Sequence, residues 1–520
     1  MTTLKPDKRL FALALVLVGI FYLALAVGTS LTKRPWCDEA WTEIPTLGLI
    51  IDGYDGTPYI QTPGIYKARI IEQMPFNSIS RIAWYTVFGW SLFSTRAFSI
   101  LWGLIALAAW FVIVNVLSKS RKTALLAVAL ISIDYYFISS AAEGRADMMC
   151  ASLAFSGFAA YLALRERNIF LALFLSHSLV AMSGLTHPNG ILALAGLIFL
   201  NVFFDYNTIR FKYVLTALTP YIIAAVGCGL YVAAHPDSFN YKGWETIIFG
   251  RSSGSIYNAF KSELMTRYII HAYGFSPNAP MMAKFKIIIP ISYLICLVGT
   301  VLIGGMRQKK SYRALLILTV IYFAGMALVI GNKLPYFLVH IVPLYTACLA
   351  MFVTWLWNNS LMPKWALGAA LCGFVLLQLS GSVYRIKSDP YHKSYLPMAT
   401  FLKGISDKDD FVIVGTAELG FHLGFRNNLI DATGLGYVTG IKPDIIVIDP
   451  RYEKAFRAYE LGGPSVGLPW AKKSPEADRF VTDLMNNEFT MIRDDGFYKI
   501  YIRSNGKIPV SRKLLQTAPL

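Results

Sequence analysis

Charged residues are scarce in this chain. Of its 520 residues, 15% are charged and 55% are apolar, whereas soluble globular proteins carry about 25% charged residues. The apolar residues fall in long blocks, and the stretch from Ala97 to Leu117 contains no charge. A block of that length can cross a bilayer core of about 30 Å. The composition of the whole chain therefore excludes an ordinary soluble protein and predicts a membrane protein with several spans.

Cysteine is also scarce, and its spacing excludes two kinds of site. The six cysteines include no CxxC pair, which argues against a zinc site and against a redox pair. All except Cys37 lie within apolar blocks, where small packing residues are the simplest interpretation. No disulfide framework is predicted.

Nucleotide-binding and phosphate-binding motifs are missing as well. The sequence has no glycine-rich phosphate loop, no dinucleotide fingerprint and no nucleophile elbow, so an enzyme of this kind would not use a nucleotide sugar in the usual soluble way. The net charge of +17 does not indicate nucleic-acid binding, because the basic residues flank apolar blocks instead of clustering on a soluble face.

The apolar blocks predict about eleven transmembrane helices. The first is retained, because it is longer than a signal-peptide core and lacks a cleavage site. Residues 75–95 are apolar enough to form a further, partly inserted helix. The predicted spans are 10–31, 96–118, 123–141, 148–164, 169–186, 190–206, 213–233, 285–305, 314–331, 336–357 and 365–382.

Basic residues in the short loops predict the orientation. They concentrate on one side of the membrane, whereas the short loops of the other side contain only Arg145 and Lys333. The basic side is predicted to be cytoplasmic, together with the N-terminus. An odd number of spans then places the C-terminal residues on the periplasmic or extracellular side, and the membrane is predicted to be a bacterial inner membrane.

The predicted fold class is a polytopic α-helical membrane protein with a C-terminal α/β soluble domain. Residues 1–382 form the transmembrane domain, with outer loops at 32–95 and 234–284, and residues 383–520 form the soluble domain. In that domain 410–415 and 444–449 have the pattern of buried strands. Residues 489–493 and 497–502 flank Asp494-Asp495-Gly496, which predicts a β-hairpin.

Two adjacent carboxylates, Asp38 and Glu39, follow the first span in the sequence Trp36-Cys-Asp-Glu-Ala-Trp41. Carboxylates in apolar surroundings at a membrane surface are candidates for a general base. The structural alternative is that Asp38 caps a short helix beginning near Glu39. The residues alone leave both interpretations open.

Two tight outer turns contain further ionisable residues. In Glu143-Gly-Arg-Ala-Asp147, the Arg145 guanidinium can bind a phosphate or the carboxylate of Asp147 or Asp38. An internal salt bridge that fixes the turn is equally compatible. In His187-Pro-Asn-Gly190, proline and glycine explain the turn, and His187 is a candidate for a cavity wall or a structural role.

The segment Asn332-Lys-Leu-Pro-Tyr-Phe-Leu-Val-His340 lies at another outer turn. Lys333, Tyr336 and His340 have spacings of three and four, so they share one face of a helix that starts near Lys333. Pro335 suits its first turn. Such a face fits an anionic headgroup, although a snorkelling lysine and an interfacial tyrosine are the plain alternatives.

In this order the motifs resemble the GT-C superfamily of membrane glycosyltransferases, in particular its protein O-mannosyltransferase and aminoarabinose-transferase branch. The resemblance covers roughly residues 1–382. Asp38-Glu39 matches an acidic pair after the first span, Met74–Asn77 a proline-containing segment, Arg145-Ala-Asp147 an Arg-Pro-Asp-like turn, and Lys333–Tyr336 a Lys-Leu-Pro-x-Tyr-like segment. In the tail, 429–435 is similar to a segment of bacterial relatives.

The resemblance implies a polyprenyl-phosphate sugar donor and inversion at the anomeric carbon, with Asp38 as the base. Glu39 would orient the acceptor or bind a divalent metal ion, which some members need. Arg145, Lys333, Tyr336 and His340 would bind the donor phosphate, and Asp147, His187 and Arg81 would line the substrate cavity. The acceptor would be a lipid, glycan or protein, and no nucleic acid is expected as a partner.

The sequence departs from the family pattern in the first outer loop. Its segment has one proline in place of two, and Gln73 stands where some relatives have a basic residue; Lys67, Arg69 or Arg81 are candidates to replace it. Two other functions stay open, a transporter or lipid flippase and a catalytically silent assembly subunit. Few charges lie in mid-span, Asp134 being one, and the two halves show no similarity, which disfavours transport.

Overall fold

A computed structural model describes residues 8–51, 75–234, 255–273, 284–331, 333–406, 411–425, 428–431, 434–437, 440–450 and 475–504. The chain divides into two compact units. We call Met1–Leu31 with Glu72–Lys387 the membrane unit, and Thr32–Ile71 with Ser388–Leu520 the sheet unit.

Helices make up the membrane unit because its sequence consists of long apolar blocks separated by short polar turns. Its α-helices are Lys8–Thr32, Pro75–Phe88, Leu92–Ser118, Arg121–Ile133, Tyr135–Ala141, Ala146–Leu164, Ile169–Thr186, Gly190–Asp205, Phe211–Ala234, Ile256–Ser262, Ile288–Leu302, Gly304–Arg307, Lys310–Val329, Val342–Asn359 and Lys364–Ser388. Glu263–Ala272 is a π-helix, and Phe285–Ile287 and Pro335–His340 are 3₁₀ helices.

Each predicted span overlaps a helix, and the protein is a polytopic α-helical membrane protein. Within the described residues, eight helices are long and apolar enough to cross a membrane, or up to nine if a bent pair counts as one span. The predicted number of eleven is therefore not confirmed. The Ala146–Leu164 helix is the most enclosed of the candidate spans, because 78% of its apolar stretch is buried. Its first turn therefore lies in a packed part of the unit.

The segment 123–141 is predicted as one span, but the structure breaks it at Asp134. The helices Arg121–Ile133 and Tyr135–Ala141 meet there at an angle of 64°. Asp134 is 1% exposed, and its Oδ1 accepts the backbone N–H groups of Tyr136 and Phe137 at 2.9 and 3.0 Å. The carboxylate thus caps a new helix within an apolar block, which is why the helix restarts in another direction.

Within its described residues, the sheet unit contains a mixed sheet of five strands. Its strands are Ile413–Val414 (β1), Leu429–Ile430 (β2), Ile445–Ile448 (β3), Phe489–Asp494 (β4) and Lys499–Arg503 (β5), in the order β2-β1-β3-β5-β4. β1 pairs parallel with β2 and β3, and β5 pairs antiparallel with β3 and β4. The predicted strands and the predicted hairpin are confirmed.

Apolar side chains from both faces of the sheet are buried. Ile413, Ile445 and Val447 pack on one face against the helix Leu396–Ile405, and the neighbouring Val414 and Ile446 pack on the other. The other helices of the unit are Cys37–Ile51, Tyr391–Tyr395, Ala417–Leu419, Gly420–Leu423 and Pro475–Glu488. The Cys37–Ile51 helix packs on the Ala417–Leu419 turn, so a helix that follows the first span is part of this unit.

Candidate active site

Arg145 lies directly before the Ala146–Leu164 helix of the membrane unit and is 8% exposed. Its Nε donates to Oδ2 of Asp147 at 2.9 Å and lies 4.0 Å from a Glu143 oxygen. The guanidinium stacks on the Tyr336 ring, 3.6 Å from its centroid. A cation stacked in this way on an aromatic face is held in a fixed plane.

The second carboxylate oxygen of Asp147 faces two imidazoles. Oδ1 lies 3.9 Å from Nε2 of His187 and 3.9 Å from Nε2 of His340. The backbone N–H of Asn189 donates to Nδ1 of His187 at 3.1 Å, so a neutral His187 carries its proton on Nε2, the nitrogen that faces Asp147. The structure therefore brings together five of the predicted site residues, which come from three separate turns: Arg145, Asp147, His187, Tyr336 and His340.

Lys333 has other partners. Its Nζ donates to the carbonyl oxygens of Met326, Ala327 and Ile330 at 3.1, 2.7 and 2.7 Å, and lies 3.1 Å from Oε2 of Glu263. These carbonyls belong to the C-terminal end of the Lys310–Val329 helix, where a cation is favourable. Burial lowers the pKa of Lys333, and the Glu263 carboxylate opposes part of that change.

The shared helix face predicted for Lys333, Tyr336 and His340 is wrong for Lys333. The 3₁₀ helix begins at Pro335, which leaves Lys333 outside it. The residue that precedes a proline is disfavoured in helical conformation, and Leu334 is indeed extended. The placing of Pro335 in the first turn is confirmed.

Glu263 and Arg267 form a buried ion pair that sequence reasoning did not single out as a site. Oε1 of Glu263 lies 2.9 Å from Nε of Arg267, and both side chains are fully buried. The spacing of four along a helix was the available signal, but it lies in the segment 234–284, which the sequence predicts as an outer loop. With Lys333, this cluster joins two cations to one carboxylate.

Arg81 is fully buried and belongs to the same part of the membrane unit. Its guanidinium donates to Oδ1 of Asn77 at 3.1 Å, to the Tyr85 hydroxyl at 3.3 Å and to the carbonyl of Gly144 at 3.0 Å. The last bond ties the Pro75–Phe88 helix to the turn that precedes Arg145. Of the first-loop candidates, Lys67, Arg69, Gln73 and Met74 lie outside the described residues.

Asp38 and Glu39 lie in the first turn of the Cys37–Ile51 helix of the sheet unit. Glu39 is fully buried, and its Oε2 accepts the backbone N–H of Trp36 at 2.8 Å, as the third residue of a capping box does. Asp38 is half-buried and lies within the helix turn instead of at its cap. The two adjacent carboxylates thus have different surroundings, and Asp38 is the more accessible one.

A divalent metal ion is implied only by the family resemblance. Within the described ranges, no three His, Cys, Asp or Glu side chains are arranged to hold a metal ion. Glu39, the predicted candidate ligand, already accepts the N–H of Trp36. These residues therefore do not fit a divalent metal ion.

The chain is similar to several solved structures over most of its length. No family model and no curated protein sequence matches it. Among solved structures, it is similar to ArnT from Cupriavidus metallidurans bound to undecaprenyl phosphate, with a TM-score of 0.56 and 12% identity over 95% of this chain and 98% of that one. It is also similar to the apo Archaeoglobus fulgidus oligosaccharyltransferase, with a TM-score of 0.59 and 11% identity over 97% of this chain and 76% of that one.

The chain has the GT-C fold. A further similar structure is the Archaeoglobus fulgidus oligosaccharyltransferase AglB in complex with an inhibitory peptide and a dolichol-phosphate, with a TM-score of 0.51, 12% identity and coverage of 97% of this chain and 75% of that one. These similarities confirm the fold that the resemblance predicted, and they cover the chain beyond residue 382. At such low identity the likeness shows the fold alone, and fold does not determine activity.

Proposed function

We propose that the protein is an integral-membrane glycosyltransferase that transfers a sugar from a polyprenyl-phosphate donor to a lipid, glycan or protein acceptor. The observation that carries the proposal is the buried Arg145 site within a GT-C fold. Solved structures of that fold contain undecaprenyl phosphate in ArnT and dolichol-phosphate in AglB, and a buried, oriented guanidinium suits a lipid phosphate.

The reaction would be a single displacement. The acceptor hydroxyl attacks the anomeric carbon from the face opposite the phosphate, so its configuration inverts. The new bond joins the acceptor oxygen to that carbon, the bond from that carbon to the phosphate oxygen breaks, and polyprenyl phosphate leaves. Asp38 would take the hydroxyl proton as general base, and Glu39 would hold the first turn of its helix.

Arg145 would stabilise the charge that develops on the leaving phosphate, because a cation fixed before the reaction needs no reorganisation. Asp147 binds Nε of Arg145 and Tyr336 lies under its plane, and these two contacts fix the orientation of the guanidinium. His340 and His187 would complete the site around Asp147, and Lys333 would contribute charge from beside Glu263. We place the reaction on the non-cytoplasmic face, with the N-terminus cytoplasmic.

The test is transfer by purified full-length protein in lipid nanodiscs with a panel of polyprenyl-phosphate sugars. Wild-type protein should consume at least one donor, and Asp38→Asn should reduce turnover by about 10²-fold or more, since a positioned base contributes about that much. Asp389→Asn, a change of a carboxylate that pairs with His392 at the surface, is the control.

Three outcomes would contradict the proposal. They are full turnover in Asp38→Asn, retention of configuration in the product, and movement of the donor lipid across the bilayer without sugar transfer. The last would instead support the lipid flippase alternative. Anomeric configuration can be read by NMR of the released glycan.

A further inference from the structure

The helix that carries Asp38 is held by the carboxyl ends of the sheet. Nε1 of Trp41 donates to Oδ2 of Asp431 at 3.1 Å, and the backbone N–H of Ala417 donates to the same oxygen at 3.2 Å. Asp431 directly follows β2 and is 5% exposed. One buried carboxylate therefore joins the Cys37–Ile51 helix to two loops at the edge of the sheet where α/β folds commonly place their sites.

A second contact is made by Arg34, which precedes Asp38 in the sequence. The Arg34 guanidinium stacks on the Phe497 ring, 3.1 Å from its centroid, and lies 5.9 Å from that of Tyr498. Burial lowers the pKa of Arg34, while the carboxylates of Glu418 and Asp449 attract its charge and act in the opposite direction. The Asp38 segment is thus held both before and after its carboxylate.

Asp38 and Trp41 are three residues apart in one helix, so their side chains project from neighbouring positions on the same face. The hydroxyl of Thr42 donates to the carbonyl of Asp38 at 2.7 Å, which keeps the first turn closed. A displacement of the Trp41 indole would therefore also displace the Asp38 carboxylate, because a single helical turn connects them.

We propose that Asp431 is a positioning residue that fixes the direction of Asp38 through the indole of Trp41. The sheet unit then takes part in catalysis by setting the place of the base, in addition to any contact with acceptor. This inference rests on the proposed function, because it gives Asp38 the role of base.

Asp444 provides a matched control within the same sheet. It precedes β3, and its Oδ2 accepts the backbone N–H of Val412 at 2.9 Å. Like Asp431 it is a carboxylate that ties a loop to the sheet, but it lies at the amino end of its strand. A variant at Asp444 therefore reports the cost of loosening the sheet without loosening the Asp38 helix.

The experiment measures kcat, donor KM and amide hydrogen exchange for full-length protein in nanodiscs. Asp431→Ala should lower kcat by about 10²-fold, the cost of displacing a catalytic group by about 1 Å, with donor KM unchanged. Trp41→Phe keeps an aromatic ring at this position but removes the N–H donor and part of the ring, and it should also lower kcat. Asp431→Asn keeps an acceptor oxygen and should therefore retain most of the wild-type kcat.

The pair should also be coupled. The double variant Trp41→Phe with Asp431→Ala should have the same kcat as Asp431→Ala alone, because both changes break the same contact between Trp41 and Asp431. Amide exchange within the Cys37–Ile51 helix should accelerate in Asp431→Ala but not in Asp444→Ala. Asp444→Ala should keep wild-type kcat below its unfolding temperature.

The outcomes separate this inference from the function on which it rests. Wild-type protein that is inactive with every donor overturns the proposed function, and the positioning role with it. Active wild-type protein with unchanged kcat in Asp431→Ala overturns the positioning role alone. So does a raised donor KM in place of a lowered kcat, or loss of the acidic limb of the pH–rate profile in Asp431→Asn, which would make Asp431 the base.

Discussion

The membrane unit and the sheet unit bury different charges. Among the described residues, the membrane unit buries cations and carboxylates together: Arg81, Arg96, Arg145, Arg267 and Lys333 with Asp134, Glu143, Asp147 and Glu263. In the described part of the sheet unit, the buried charged residues are carboxylates only: Glu39, Glu43, Glu418, Asp431 and Asp449. The membrane unit therefore buries charges of both signs, whereas the described part of the sheet unit buries negative charges.

This difference fits a division of chemical work. A buried cation is costly unless it is paired, and in the membrane unit Arg145 and Lys333 each have a carboxylate partner. Paired but still oriented, such cations suit an anionic leaving group. In the sheet unit Glu39 and Asp431 accept neutral N–H donors, and Glu418 and Asp449 attract the charge of the half-buried Arg34. Such an environment is suited to holding a base in position. Three changes in the membrane unit test whether its charges serve binding or structure.

Lys333→Met should have the largest effect, a loss of about 3 kcal/mol in the free energy of unfolding, because it leaves three carbonyls and Glu263 without their ammonium partner. Thermal unfolding in nanodiscs measures it, with Lys364→Met as control for an exposed lysine. The same variant tests the predicted phosphate contact. If Lys333 binds the donor phosphate, donor KM must rise at temperatures where the variant is folded; unchanged KM would leave only a structural role.

Arg145→Lys should lower turnover by about 10²-fold, the usual cost of losing one preorganised donor. Lysine keeps the charge but cannot both stack on Tyr336 and donate from a planar fork to Asp147. Arg165→Lys is the matched control, since Arg165 lies at the opposite end of the same helix and pairs with Asp205. Equal losses in the two variants would show that Arg145 acts only by stabilising the helix.

Much of the fold could be predicted from the sequence because its signals are local. Apolar blocks give the helices, and Asp494-Asp495-Gly496 gives the hairpin. The turn residues Arg145 and Asp147 could be predicted to interact, since only one residue separates them. Because proline suits the first turn of a helix, the start of the 3₁₀ helix at Pro335 could also be predicted.

The remaining features depend on contacts between distant residues. The bond from Trp41 to Asp431 joins positions 390 residues apart, and no periodicity encodes it. Lys333 has the same flanking residues whether it binds a phosphate or caps a helix, and only the fold shows that three carbonyls and Glu263 surround it. The break at Asp134 was hidden because a capping carboxylate inside an apolar block looks like an isolated mid-span charge.

Asp134 gives the smallest of the expected effects and the sharpest contrast with Arg145 and Lys333, because its four partners are neutral. Besides two backbone N–H groups, its carboxylate accepts from the Tyr293 hydroxyl at 3.1 Å and from Nε2 of Gln378 at 2.7 Å. Asp134→Asn is close in shape but turns one acceptor into a donor. It should cost about 1–2 kcal/mol in the free energy of unfolding, since one donor then faces another.

A second change should reverse the loss. Oε1 of Gln378 accepts the backbone N–H of Tyr135 at 3.1 Å, so Gln378→Glu keeps that bond and supplies an acceptor for the new amide. Asp134→Asn combined with Gln378→Glu should therefore recover the unfolding temperature of the wild type. Gln378→Glu alone places two carboxylates together and should be less stable than the wild type and the double variant. If the double variant is no better than Asp134→Asn, hydrogen bonding at the break does not determine its stability, and the charge of Asp134 itself does.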